Sequence, residues 1–584
     1  MRIAAGHDLM QPYDKFVDEA FVRICRTTPE MASRMGLAAL PQFAGVRDKL
    51  DDRSLQADHA RRDLVDELFA THQRYARQSL TPSERLTCDV FEFFLCYLPF
   101  EPWAGVAGRD FVLHHYPVRH VWGSPAETFN VLANMHAVNG EADAEAFVAR
   151  LTQLDAVTRD LIEGLKHRER LGLSPPRSAL AIVRGELEAM VVEGAERSEV
   201  IETFAHKLEE AKSIAATRRA ALLDDARKVL SAFFNGALRA LVECLVTLEA
   251  NAAEPLGVWR LPRGDEFYRY TLTRETSTSL TPDEIYALGE TEVVRLQGEL
   301  RRDAAALGFT STDLRAALGA ALRDDGRVAD DEARREEIVH YYANLLDDTA
   351  KRIRPLFGMF PKARCVVRPS PRHLEARRTT TYFPASSGGE YPGAVELCVL
   401  REMSKAPWAR NTTAYHEAWP GHHLQLSLAQ EAPHLSLFRR TFVVAGYLEG
   451  WAKYSERLPF EAGIDTEPRY ELQRKAQELI SASNLMLDVG IHDRRWTREQ
   501  AITFSSERAL VDPAMAEYLV DRVSVTPGQT ASYMIGLNTV RALRTKMQRQ
   551  LGAEFTLPAF HDRLLGEGAL PLSVLEQRFE ENRK

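Results

Sequence analysis

Residues 415 to 423 read Tyr-His-Glu-Ala-Trp-Pro-Gly-His-His. The run sets His416 and Glu417 just ahead of His422 and His423. Neutral imidazoles bind zinc, and a neighbouring carboxylate can take a proton from water activated by a metal. Read as a metal site, the run makes this chain a hydrolase. Read as a kinked core helix with surface histidines, it assigns no chemistry. Three histidines and a glutamate within eight residues disfavour the second reading.

The spacing departs from the helical zinc signature His-Glu-x-x-His, in which two histidines one turn apart share a face. Here the fourth residue after His416 is Pro420, which ligates nothing. On an unbroken helix His416 and His422 would point roughly 240° apart, and His423 would lie about 10.5 Å along the axis. Zinc–nitrogen bonds of about 2.0–2.1 Å do not span that gap. A metal site therefore requires a broken helix. Pro420 supplies the break, because it lacks an N–H and its ring clashes with the carbonyl of His416. Trp419 is biased away from helical geometry by the proline after it, and Gly421 tolerates the backbone that results. A two-residue bulge at Pro420-Gly421 brings His422 toward the second ligand position, with His423 as the competing choice.

The third ligand is sought downstream, in Gly446-Tyr-Leu-Glu-Gly-Trp-Ala-Lys-Tyr-Ser-Glu456. Glu449 and Glu456 are seven apart and share a helix face. Between His422 and Glu449 there is room for one helix to end near Glu431-Ala-Pro433 and a second to pack back. The competing reading of Glu449 is an ion pair with Lys453 one turn on. Glu456 is a weaker candidate for the third ligand, and Glu456 and His423 are candidates for supporting a ligand histidine from behind.

Together with Gly264, Phe267-Tyr268, Thr281-Pro-Asp-Glu-Ile285, Gly289, Leu448-Glu-Gly-Trp-Ala452, Pro527-Gly-Gln529, Tyr533, Gly536, Phe560-His-Asp562 and Leu570-Pro-Leu-Ser573, the run His416 to Gln425 resembles the pattern of a bacterial family, domain of unknown function 885. The match is strongest from about residue 260 onward. That family is similar in turn to helical zinc peptidases of the angiotensin-converting enzyme, thimet oligopeptidase and thermostable carboxypeptidase groups. The resemblance implies His416, His422 and Glu449 as ligands of a zinc ion and Glu417 as the general base. The Pro-Gly insertion is where this chain departs from the peptidase pattern. The resemblance also implies a tyrosine, C-terminal to the metal helices, that donates to the oxyanion, and Tyr533 fills that order.

Two further candidates stand near these residues. Arg541 lies on the same predicted helix as Tyr533, about 12 Å further along, and its fork suits a substrate carboxylate. The alternatives are a buried structural tyrosine and a solvated arginine. Residues 379 to 400 carry Thr-Thr-Thr-Tyr-Phe, a turn-like Pro384-Ala-Ser-Ser-Gly-Gly389, and Glu396-Leu-Cys-Val-Leu400. This predicts a small hairpin beside the metal helix. Its edge would pair with extended substrate backbone, and Tyr382 would line the cleft. The alternative is an ordinary structural hairpin.

The 584 residues can bury a large core and more than one compact unit. Hydrophobic content of 45% and charged content of 27% are those of a globular protein. The net charge is −9, without a basic stripe, so no nucleic-acid partner is expected. Six scattered cysteines without a Cys-x-x-Cys pair argue against a disulfide framework and fit a reducing compartment. The N-terminus shows no apolar signal core, and no run reaches eighteen apolar residues. The expectation is a cytoplasmic protein, without a membrane partner, as monomer or homodimer.

The fold expected is mainly α, with two helical halves around a deep cleft and a small hairpin or sheet beside the metal-binding helix. The halves are residues 1–255 and 256–584, divided at Asn251-Ala-Ala-Glu-Pro-Leu-Gly257, with the metal helices in the second. Long helical patterns occupy 125–170 and 212–250, and Thr281-Pro282 opens another helix. The function expected is hydrolysis of an amide or peptide bond in a short peptide or aminoacyl-type substrate. Zinc is the expected metal, although two histidines and a carboxylate also accept manganese, cobalt or iron. The alternatives are hydrolysis of a non-peptide amide in small-molecule metabolism, and a catalytically silent helical binding protein.

Overall fold

Apolar residues at helical spacing, stopped by glycine and proline, set most of the architecture. The computed structural model describes residues 11–98, 103, 115–323, 332–370, 375, 379–387, 389, 391–403 and 405–581. The chain is mainly α with one small sheet. Thr281 caps the helix Pro282–Ala306 as its sequence dictates. Its hydroxyl accepts from Glu284 N at 3.3 Å, and Glu284 returns a carboxylate oxygen to Thr281 N at 2.8 Å. Ala216–Asn251 is one long helix with a π turn at Phe234–Leu238. By length and composition it is apolar enough to cross a membrane, but Leu222, Leu230, Leu241 and Leu245 are buried in a local core. The predicted helix over 125–170 is interrupted by a π turn at Val131–Met135 and restarts at Glu141, after Gly140.

Among the described residues the apolar core falls into three clusters. One occupies the helices between Val118 and Ala252 and reaches back to Leu50. A smaller one packs Leu256 on Leu487, Ile491 and Val520. The largest joins Tyr13 through Trp103 to residues from Val258 to Phe579. The first cluster ends at Ala252, while the chain's opening helices, together with Leu173 and Ala179, side with its C-terminal portion. The reason is aromatic: Phe21, Phe91 and Phe94 need cover, and Phe438 provides it at ring-centroid distances of 5.6, 5.2 and 5.3 Å.

The sheet contains β1 (Cys365–Pro369), β2 (Thr381–Phe383) and β3 (Gly393–Leu397) in the order β1-β3-β2. The predicted hairpin is the antiparallel pair β2–β3, with Tyr382 opposite Val395. Gly388, in the connection between them, lies outside the described residues. β1 runs parallel to β3 and was not predicted. β2 is left as an edge.

Six helices carry the site: α1 (Pro407–Glu417), α2 (His422–Glu431), α3 (Ala445–Ser455), α4 (Pro468–His492), α5 (Pro513–Val525) and α6 (Ala531–Leu551). α3 and α6 cross at glycines. A Cβ on Gly536 would stand 2.0 Å from Gly446 O, and one on Gly450 would stand 2.5 Å from Gly536 Cα. This close approach lays Glu449 of α3 and Tyr533 of α6 on facing helices.

Candidate metal centre

The helix breaks where Pro420 requires. α1 ends at Glu417, Ala418 leaves helical geometry at φ −119° and ψ −91°, and the Trp419–Pro420 peptide is cis. The ladder resumes with Leu424 N bonded to Ala418 O at 3.4 Å, six residues back instead of four. Two residues are thus looped out. The indole N–H of buried Trp451 donates to Pro420 O at 3.0 Å and to Gly421 O at 3.3 Å, and Gly421 O also accepts from Gln425 N at 3.2 Å. Gly421 is needed for close approach, since a Cβ there would stand 1.9 Å from His416 O.

The loop brings two imidazoles onto one carboxylate. Glu449 Oε2 lies 3.5 Å from His416 Nε2 and 3.6 Å from His422 Nε2. One donor atom from each of the three residues falls within 4.8 Å of the others. Two atoms each about 2.1 Å from a tetrahedral zinc ion are about 3.4 Å apart. The carboxylate–imidazole gaps are therefore those of neighbours around a single cation. Glu449 Oε2 is also buried without a hydrogen-bond partner, a costly state for a carboxylate oxygen that a cation would relieve. The three side chains keep 11 to 15% of their surface exposed. Two imidazoles and one carboxylate fit a divalent transition metal.

Supporting contacts fix His416, whereas Nδ1 of His422 is buried without a partner. His416 Nδ1 meets Glu456 Oε1 at 2.9 Å, and Lys453 Nζ donates to both oxygens of Glu456 at 2.9 Å. Lys453 thus pairs with Glu456, and Glu449 is left for the imidazoles. A carboxylate behind a ligand histidine sets its tautomer and orientation. Burial lowers the His416 pKa, but the carboxylates of Glu449 and Glu456 beside it outweigh it and raise the value to about 10. Burial alone dominates at His422, which falls to about 4. At Glu449 burial is overcome by the two histidines, which hold it at about 2. A proton on His416 thus balances charge that a bound cation would otherwise balance.

His423 points elsewhere. Its Nδ1 meets the Tyr382 hydroxyl at 2.8 Å, its Nε2 meets Ala363 O at 3.1 Å, and its ring stands edge-on to Trp419 at 4.4 Å. With both nitrogens engaged it leaves the second donor position to His422. It braces the sheet against α2 rather than a ligand.

Glu417 lies beside the donors. Its Oε2 accepts from Tyr382 N at 2.8 Å. Burial raises its pKa to about 7 against the pull of His416. Tyr533 stacks on the His416 ring at 6.5 Å and 13°. Burial, and then the charge of Glu449, push its hydroxyl well above the usual phenol range, so it stays protonated.

Two predicted residues are placed differently. The Tyr382 side chain turns away from Glu417 to His423, and what β2 contributes to the site is a backbone N–H. Strand pleat causes this, since the hydroxyl and the edge N–H leave the strand in different directions. Arg541 forms a two-pronged pair with buried Glu478 of α4 at 2.7 and 2.9 Å, and Glu478 also binds Arg474 and Arg295. Two turns beyond Tyr533, Arg541 ties α6 to α4. The arginine beside Tyr533 is Arg522 of α5, whose Nη2 donates to the tyrosine oxygen at 3.2 Å. Pro527-Gly528 folds α5 back onto α6, and Asp488 anchors that turn through Gly528 N at 3.0 Å.

A family model described as a bacterial protein of unknown function, DUF885, matches residues 29–579. The chain belongs to that family. Five solved chains match the DUF885 protein. The crystal structure of a candidate lipoprotein from Colwellia psychrerythraea shares 23% identity at a TM-score of 0.92, with 98% of this chain and 99% of that one covered. A candidate lipoprotein of unknown function from Shewanella oneidensis shares 18% identity at a TM-score of 0.68, covering 97% and 99%. At these identities the likeness shows the fold alone. No curated protein matches the DUF885 chain.

Proposed function

We propose that this DUF885 chain is a metal-dependent hydrolase, with zinc as the expected ion, that cleaves an amide or peptide bond in a short peptide or aminoacyl-type substrate. One observation carries the reading: His416 Nε2 and His422 Nε2 stand 3.5 and 3.6 Å from an unpartnered oxygen of Glu449. These three residues would hold the ion, which when bound supplies Lewis acidity to water and to the scissile carbonyl. Glu417 Oε2 is tied to Tyr382 N, which leaves Oε1 to take a proton from the attacking water. Burial raises this carboxylate from its ordinary value toward neutrality, which suits a general base. The water oxygen adds to the carbonyl carbon, and the Tyr533 hydroxyl donates to the oxygen that becomes negative. Glu417 Oε1 then passes its proton to the amide nitrogen, the carbon–nitrogen bond breaks, and acid and amine depart. Glu456 and Lys453 keep the His416 ring turned to the centre throughout.

The test is metal content and amide cleavage for wild type and Glu417→Gln. The variant is nearly isosteric and removes no ligand. It is expected to keep the wild-type metal and lose turnover by roughly 10²- to 10⁴-fold. Equal turnover refutes the assigned base, and the lack of stoichiometric metal in both proteins refutes the reaction class.

A further inference from the structure

Arg522 is the charged group at the centre to which the hydrolytic steps give no task. Its Nη2 is bonded only to neutral acceptors, Gln529 Oε1 at 3.0 Å and the Tyr533 hydroxyl at 3.2 Å. Its Nε is buried without a partner. Among the described residues no carboxylate is in ion-pair contact with it, whereas Arg541, Arg474 and Arg295 nearby all share Glu478. The acid whose field reaches Arg522 is Glu449, which the proposed reading commits to the metal. A half-buried guanidinium with spare donors and no counter-ion is costly unless an anion arrives, and the donors not spent on Gln529 and Tyr533 suit a carboxylate oxygen.

Its position says where that anion sits. The tyrosine it touches is stacked over His416, so a carboxylate on Arg522 lies close to the carbonyl under attack. One residue of peptide spans about 3.8 Å between Cα atoms, which suits the α-carboxylate of the amino acid being released. Resting on the hydrolase reading, we infer that the substrate carries a free carboxylate one residue from the scissile amide, bound by Arg522. The enzyme then removes the carboxyl-terminal residue of short peptides, or the amino acid of N-acyl amino acids, in preference to internal or capped amides. The role first expected of Arg541 belongs to Arg522.

The experiment compares matched dipeptides as free acids and as C-terminal carboxamides, with alanine, leucine and phenylalanine in the terminal position. Wild type, Arg522→Gln and Arg522→Lys are assayed metal-loaded, and free-acid binding is measured by calorimetry on Glu417→Gln with and without Arg522→Gln. The expected result is a preference for the free acid of roughly 30- to 100-fold in kcat/KM. Arg522→Gln erases it by weakening the acid far more than the amide, Arg522→Lys restores part of it, and the calorimetric Kd of the acid weakens by a similar factor. Equal cleavage of acid and amide by wild type overturns the inference. So does an equal fall for both forms in Arg522→Gln, which would make Arg522 only a support for Tyr533 and leave the hydrolase reading standing. If wild type binds metal but neither binds nor cleaves any member of the panel, the inference falls; if it binds no metal, both readings fall. Should Arg522→Gln fail to fold, the wild-type ratio of acid to amide decides alone.

Discussion

Gly421→Ala is the smallest change that tests the break in the metal helix. The added carbon would stand 1.9 Å from His416 O, 2.4 Å from Tyr415 O and 2.5 Å from His416 C. All three are backbone atoms, so no side chain can swing aside. Ordinary carbon–oxygen contact begins at about 3.3 Å, so the end of α1 and the start of α2 must part by about 1.4 Å. The gaps that define the centre are 3.5 and 3.6 Å, and metal–ligand bonds tolerate errors of about 0.2 Å. The forced shift is several times that tolerance. The variant is expected to stay folded, at a cost of about 1–3 kcal/mol, and to lose metal affinity by roughly 100-fold or more. Competition against a chromophoric chelator reads the affinity, and circular dichroism with thermal melting reads the fold. A folded Gly421→Ala with wild-type affinity would refute the claim that the loop's geometry makes the site.

Other consequences are equally specific. His423→Ala should keep its metal while losing about 1–3 kcal/mol, because the Tyr382 hydroxyl and Ala363 O are left unpaired; loss of the metal would instead transfer the second ligand role to His423. Arg541→Ala should lower the melting temperature, at about 1–2 kcal/mol, since Arg474 and Arg295 still serve Glu478; a changed preference for free-acid substrates would return Arg541 to the site. Glu417 must be ionised to act as base, so the rate should rise with pH along a limb that this residue sets. Burial raises it to about 7 and a neighbouring cation lowers it again, which puts the midpoint of the kcat/KM limb between 4.5 and about 7. A rate that falls as pH rises through that window contradicts the role.

Most of the candidate donors lie close together in the chain, where their spacing can be read. Pro420-Gly421 announces a broken helix by steric necessity, and the spacing of Glu449 and Glu456 follows from helical period. What decides between His422 and His423 is the number of residues looped out, visible only in the bond from Leu424 to Ala418. Arg522 was missed because helix geometry relates residues within one helix, and Arg522 reaches Tyr533 from the helix before it across the Pro527-Gly528 turn. The Tyr382 side chain was misdirected because three residues of edge strand carry no alternation from which to read a face. β1 escaped notice because its pairing with β3 spans a long insertion. The packing of the first helices onto Phe438 is a contact between distant segments that no local pattern encodes.

The most direct measurement is anomalous diffraction at the zinc edge from crystals of the zinc-loaded protein. One peak is predicted within about 2.0–2.2 Å of His416 Nε2, His422 Nε2 and a carboxylate oxygen of Glu449. No peak there at saturating zinc, or a peak held by other residues, would contradict the account.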